Sequence, residues 1–216
     1  MIKAVIFDLD GTLLNTIESM EAAGSRMLWD FGLTPRPAEE YKQYAGDGAK
    51  TLVRRVLAAA GKPDEGLLER AFPVYMGYFA QTCGYHVEPY PGIRELLTAL
   101  SQRNIRLAVL SNKPHQQTVD VVTAYFGTKL FDLVMGQSEA FPKKPAPDGA
   151  LWMAKEFGVL PSECLYLGDT NVDMQTGKAA GMKTVGVLWG FRDEKELKEN
   201  HADAIIRHPM EALELL

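Results

Sequence analysis

The chain of 216 residues reads as an α/β protein: a Rossmann-like parallel β-sheet with helices on both faces, plus an inserted all-helical domain. Three observations predict this. From position 93 onward, short apolar runs alternate with amphipathic stretches of about ten residues, the pattern of parallel strands joined by crossover helices. Those runs are apolar almost throughout, as strands covered on both faces must be. Residues 15–86 carry only the three- and four-residue apolar spacing of helices. The expected division is therefore a core of residues 1–14 and 87–216, interrupted by a helical domain at 15–86.

Each element has its own signal in the sequence. Ala4-Val5-Ile6-Phe7 is a short buried strand. Asp8-Leu9-Asp10-Gly11 follows at its tip, where Gly11 lets the backbone leave at angles closed to other residues. Ile17, Met20, Ala23, Met27, Leu28 and Phe31 mark a helix stopped by Gly32. Short helices are predicted over 38–44 and from Leu52 to Gly61, and a longer one over 67–81, bent at Pro73. Then come a helix at 93–102, a strand at 105–110 ending in Ser111-Asn112-Lys113-Pro114, and a helix at 115–126. A strand at 131–135 and a loop at 141–147 precede a helix capped by Asp148 and stopped by Gly158. The pattern closes with a strand at 164–168, a helix at 171–180, a strand at 184–189, a charged helix at 194–200, an apolar run at 204–206 and a last helix from Pro209.

Composition excludes several classes of function. The chain is 46% hydrophobic and 24% charged, as ordinary soluble globular proteins are. Its net charge of -5 gives no electrostatic support to a nucleic-acid partner. No apolar run approaches the roughly 18 residues of a membrane span, and the first strand begins too early for a signal peptide. With only two cysteines, Cys83 and Cys164, a reduced cytoplasmic protein is expected.

Ligands of parallel sheets bind beyond the carboxyl ends of the strands. The residues expected there are Asp8 and Asp10 after the first strand, Ser111 and Asn112 after the second, Lys144 in the loop after the third, and Asp169 with Asp173 after the fourth. Two acids close together repel unless a cation neutralises them. Around a phosphoryl group these residues make chemical sense. Asp8 can attack phosphorus. Asp10 can protonate the departing oxygen and then take a proton from water. A divalent ion on Asp8 and Asp169 offsets the repulsion, and oxygen-only ligands suit Mg2+. Ser111 can donate to phosphoryl oxygens and Lys144 can balance charge. Taken singly, each has a plainer role. Ser111 can cap a turn, Lys143 and Lys144 can be a solvated pair, and Asp173 can be a first-turn helix acid. Their joint placement at successive strand ends favours the site. His86 and His115 lack partners for zinc.

The motifs Asp8-x-Asp10-Gly-Thr-Leu, Ser111, Lys144 in Lys-Pro-x-Pro, and Gly168-Asp169-Thr170-x-x-Asp173 resemble the four motifs of the haloacid dehalogenase superfamily, in order and over essentially the whole chain. The resemblance implies a cap of the small helical type at residues 15–86 and Mg2+ held by Asp8, the Asp10 carbonyl, Asp169 and Asp173, the last as a ligand or behind one. Asp10 speaks against the dehalogenase branch, and the lack of a placed cap lysine against the phosphonate-cleaving one. Ser111-Asn112-Lys113-Pro114 and Gly46-Asp47-Gly48-Ala49 are most similar to phosphoglycolate phosphatases, although Asn15 stands where many relatives carry Asp. The implied substrate is a small phosphorylated metabolite, with 2-phosphoglycolate the first expectation. Gly11, Asn112, Thr16, Gly46, Gly48, Lys50 and Arg54 are the candidate substrate contacts, Lys50, Arg54 or Arg55 facing a substrate carboxylate. The assembly is expected to be a monomer or homodimer. Alternatives are a mutase of the β-phosphoglucomutase kind, a pyrophosphatase, a family member that has lost catalysis, and a receiver-like phospho-acceptor switch. Receivers, however, lack the second acid and the insertion.

Overall fold

A computed structural model describes residues 1–216 and divides into two compact units, one of Met1–Asn15 with Pro89–Leu216 and one of Thr16–Glu88. The chain opens with β1 (Ala4–Phe7) and β2 (Leu14–Asn15). The helical unit follows as α1 (Ile17–Asp30), α2 (Ala38–Tyr44), α3 (Ala49–Ala59) and α4 (Glu65–Thr82), and leads into β3 (Glu88–Pro89). The rest is α5 (Ile93–Gln102), β4 (Arg106–Pro114), α6 (His115–Phe126), β5 (Leu133–Gln137), α7 (Asp148–Phe157), β6 (Cys164–Gly168), α8 (Asn171–Ala179), β7 (Lys183–Val187), α9 (Glu194–Glu199) and β8 (Ala204–Ile206). Two 3-10 segments, Pro161–Glu163 and Pro209–Leu215, complete it.

Six strands form one parallel sheet in the order β5-β4-β1-β6-β7-β8. β1 is central because all four of its residues are apolar and buried, which only a strand covered on both faces permits. It pairs with β4 (Phe7 opposite Val109) and with β6 (Phe7 opposite Leu167). From β1 the chain order runs outward in both directions, so the tips of β1, β4 and β6 meet at the switch point where open α/β sheets bind ligands.

Residues two apart on a strand share a face. Ala4 and Ile6, Ala108 and Leu110, and Cys164 and Tyr166 thereby make one apolar layer, against which α7 sets Ala150, Met153 and Ala154 at helical spacing. Full burial of side chains the size of Ile6 or Met153 contributes roughly 1.5–3 kcal/mol each. The helical unit has its own interior, with Met27, Leu28, Tyr41, Val53, Val56, Leu68 and Tyr75 all buried. Pro73 is accommodated inside α4, whose start is capped by the Asp64 carboxylate accepting from the Leu67 N–H.

Several boundaries differ from the sequence expectation. β4 continues through Ser111, Asn112 and Lys113 to Pro114, with a register irregularity after Leu110. β5 begins at Leu133 rather than 131. Phe131 is drawn into an aromatic cluster with Phe7 and Phe126, ring centres 6.4 and 5.6 Å away, and the Asp132 carboxylate accepts from the Leu107 N–H (2.9 Å). Asp148 does not cap α7: Pro147 holds that position and no side-chain cap bond forms. The last helix is of the 3-10 type.

Candidate active site

Beyond Phe7 the β1 strand gives out into a tight turn. The Asp8 N–H still donates to Leu167 (2.9 Å), whereas the N–H groups of Leu13 and Leu14 both turn back to Leu9. Gly11 sits in this turn at φ +87°, a left-handed conformation that disfavours side chains. A Cβ there would also lie 2.7 Å from the Asp169 carboxylate carbon. The residue is required by both conformation and space, and the turn brings the Asp8–Thr12 segment against the tip of β6.

Lys144 reaches the same place from the loop before α7. Its buried ammonium lies 2.8 Å from Asp8 Oδ1 and 2.7 Å from Asp173 Oδ1. The other Asp173 oxygen accepts from the N–H and hydroxyl of Thr170 at 3.1 and 2.8 Å, closing the N-terminal turn of α8. Asp173 is thereby committed to holding Lys144 and its own helix. Asn112, expected to touch substrate, pairs with the main chain of Lys144. Its amide donates to the Lys144 carbonyl (3.0 Å) and accepts from the Lys144 N–H (2.9 Å). Ser111 is buried beside it and accepts from the Lys113 N–H at 3.2 Å.

Asp169 at the tip of β6 is fully buried and receives neutral donors, the Thr12 hydroxyl (3.0 Å) and the Phe191 N–H (2.8 Å). The segment after β7 that supplies Phe191 is absent from the sequence-based site. Its Trp189 indole donates to the Thr12 carbonyl (2.9 Å). Between them, Gly190 packs so closely that a Cβ would stand 2.5 Å from the Gly11 carbonyl oxygen and overlap Asp169. Gly190→Ala is therefore expected to destabilise the fold by about 1–3 kcal/mol in denaturant titrations. Unchanged stability would contradict this close packing.

A second residue escaped the sequence reading. The Lys113 ammonium, on a side chain only 1% exposed, lies 2.9 Å from Asp10 Oδ1. Lys113 stands two residues beyond Ser111 on β4, and its polar surroundings at a strand tip look like an ordinary loop in the sequence.

The electrostatics follow from burial. Asp8 is pushed up to about 7, first by desolvation, then by the Asp173 charge, with Lys144 pulling the other way. Asp169 is raised well above the usual carboxylate range by desolvation and by the charges of Asp173 and Asp8. Burial pulls Lys144 down, but the Asp173 and Asp8 carboxylates more than offset it and hold the ammonium charged. Tyr166, buried beside Lys144, has its hydroxyl raised far above the usual range by desolvation. Oxygens of Asp8, Asp169 and Asp173 all lie within 4.8 Å of one another. Lys144 pairs with Asp8 and Asp173 only, so full ionisation of all three buried carboxylates calls for further positive charge, and every donor is an oxygen. That set fits a hard divalent cation.

The remaining candidate residues belong to the helical unit. Thr16 is fully buried ahead of α1 and its hydroxyl makes no capping bond. Gly46 and Gly48 flank Asp47 at φ +111° and +88°, and Asp47 pairs with Arg55 at 2.6 Å. Lys50 and Arg54, expected at a substrate carboxylate, pair with Glu69 (2.7 Å) and Glu65 (2.8 Å) of α4. Such exposed pairs are screened by solvent and add little to stability.

Comparison with known proteins identifies the family. Residues 5–187 match the family model described as haloacid dehalogenase-like hydrolase. The chain is 36% identical, over 217 aligned positions covering 100% of it and 96% of the relative, to a phosphoglycolate phosphatase of Nitrosospira multiformis. It is 31% identical to the phosphoglycolate phosphatase of Pseudomonas putida, over 94% of this chain and 76% of that one. Among solved structures, a protein from Lactobacillus delbrueckii subsp. bulgaricus superposes with a TM-score of 0.93 at 30% identity, covering 99% of this chain and 97% of that one. No helix is long and apolar enough to cross a membrane.

Proposed function

The chain belongs to the haloacid dehalogenase-like hydrolase family and is a phosphatase, and on that premise we propose that it hydrolyses a small phosphomonoester, 2-phosphoglycolate first, through an aspartyl-phosphate on Asp8 with Mg2+ as cofactor. The observation that carries this reading is the contrast between two acids on one strand tip. Asp8 is buried against Lys144 and Asp173, while Asp10 stands apart from them, paired with Lys113.

In the first half-reaction Asp8 attacks phosphorus and the bond from phosphorus to the leaving oxygen breaks, with Asp10 supplying that oxygen's proton. In the second, Asp10 takes a proton from water as the water attacks phosphorus. The Asp8–phosphorus bond breaks, releasing inorganic phosphate and restoring both acids. Lys144 favours the ionised, nucleophilic form of Asp8 and offsets charge on the phosphoryl oxygens. The Ser111 hydroxyl donates to those oxygens, and Asp173 and Asn112 hold Lys144 in place. Mg2+ bound by Asp8, Asp169 and the Asp10 carbonyl would supply the positive charge that lets a dianion approach this carboxylate cluster. Residues 15–86 act as the cap that excludes water and selects the leaving group, with Thr16, Gly46, Gly48, Lys50 and Arg54 as its candidate substrate contacts.

The phosphoglycolate preference is supported by the names of the relatives at 36% and 31% identity. A panel of 2-phosphoglycolate, pyrophosphate, sugar phosphates and nucleotides tests it. The highest kcat/KM is expected for 2-phosphoglycolate, with free phosphate as product and at least about a 100-fold loss on chelation. A sugar phosphate isomerised without net phosphate release would point to a mutase instead. Preference for pyrophosphate would refute the substrate assignment while leaving the chemistry standing.

A further inference from the structure

We propose that Lys113 is the positioning residue for Asp10: its buried ammonium holds Oδ1, fixing the carboxyl group so that Oδ2 carries the proton to the leaving oxygen. This rests on the acid-base role of Asp10 proposed above. A lysine ammonium enclosed to this degree is costly unless it is compensated, and Asp10 Oδ1 stands 2.9 Å from it. The lysine is itself held from several sides. Its N–H donates to Ser111 Oγ (3.2 Å), and its carbonyl accepts from the Thr118 hydroxyl (3.2 Å). Gly136 of β5 packs so close that a Cβ there would stand 2.6 Å from that carbonyl. A rigid strand thus aims a charge at a side chain that otherwise chooses among three χ1 wells. Misplacing a reacting group by about 1 Å can cost on the order of 100-fold in rate. Lys113 transfers no proton. It keeps its three hydrogens throughout, while the transferred proton moves from the Asp10 carboxyl to the leaving oxygen.

The test uses the full chain with Mg2+ and two substrates that differ in their need for an acid. Ethyl phosphate releases a strongly basic alkoxide and needs protonation, whereas p-nitrophenyl phosphate releases a stable phenolate. Because kcat/KM reports steps only through phosphoryl transfer to Asp8, the ratio of the two values isolates leaving-group protonation. Asp10→Asn sets the full effect. Lys113→Met is expected to lower kcat/KM on ethyl phosphate on the order of 100-fold and on p-nitrophenyl phosphate by no more than about 3-fold. Lys113→Arg should recover part of the difference, and Lys113→Met in the Asp10→Asn background should add nothing. Lys113→Gln, which keeps a donor, gives a second reading if the methionine variant melts early. Equal losses on both substrates, or no loss, while Asp10→Asn discriminates between them, would overturn the role of Lys113 alone. If Asp10→Asn itself fails to discriminate, the acid assignment falls and this proposal falls with it.

Discussion

Asp8→Asn is expected to lower kcat/KM by at least about 10^4-fold while making the metal-free protein more stable. The first effect follows from removing the attacking oxygen, since loss of a nucleophile costs on the order of 10^4 to 10^6 in turnover. The second follows from the environment of Asp8. Its carboxyl is raised from 3.8 to about 7 by burial and by the Asp173 charge. A carboxyl raised in the fold binds its proton more tightly there than in the unfolded chain. Its ionisation therefore costs nothing below about pH 4, costs progressively more up to about pH 7, and costs a constant amount above. Asparagine has the same shape and no charge to bury. In chelator, the Tm gain over the parent should be larger at pH 8 than at pH 5. A variant that lost activity together with stability would indicate a disrupted fold rather than a missing nucleophile.

Lys144→Met is expected to have the opposite effect on stability. The ammonium compensates Asp8 and Asp173 together, and its removal leaves three clustered carboxylates with no cation. Breaking a buried pair by deleting one partner costs about 3–5 kcal/mol. For a chain of this size that corresponds to a Tm lower by roughly 10 °C. Because the Lys144 pKa is raised above its ordinary value, the contribution is fully present at neutral pH and fades only as pH rises through that raised value. The loss should therefore be full at pH 8. It should shrink as pH falls through about 7, where Asp8 takes up its proton. Activity should fall on the order of 100- to 1000-fold, as when a charge-stabilising donor is removed. A melting temperature unchanged at pH 8 would show that the ion pairs contribute little.

The sequence discloses the parts of the fold that rest on continuous patterns. Ala4–Phe7 and Cys164–Gly168 are apolar without interruption and form the central strands at those positions. The family assignment, carried by four motifs in order, is established by the match over residues 5–187. What the sequence hides depends on contacts across the chain. Lys113 looks like a loop lysine because its partner lies 103 positions away. Trp189, Gly190 and Phe191 look like the ragged end of a strand, yet they clasp Thr12 and Asp169. Asn112 has a substrate-binding character by composition, but its amide matches the peptide of Lys144. The charges of Lys50 and Arg54 are plain in the sequence, but not the Glu69 and Glu65 that α4 sets beside them. In each case local spacing identifies the chemical group, and only the fold identifies its partner.

The most direct test of the aspartyl-phosphate is to look for it. Asp10→Asn should still allow phosphoryl transfer from an aryl phosphate to Asp8, because a good leaving group needs little protonation, but should slow the water attack that removes the phosphoryl group. Acid quenching of that variant after brief exposure to radiolabelled substrate and Mg2+, followed by peptide mapping, should place one acid-stable, base-labile label on the peptide containing Asp8. No label should appear when Asp8→Asn is added. Release of phosphate with no label at any time, or a label mapped to another residue, would contradict nucleophilic catalysis by Asp8.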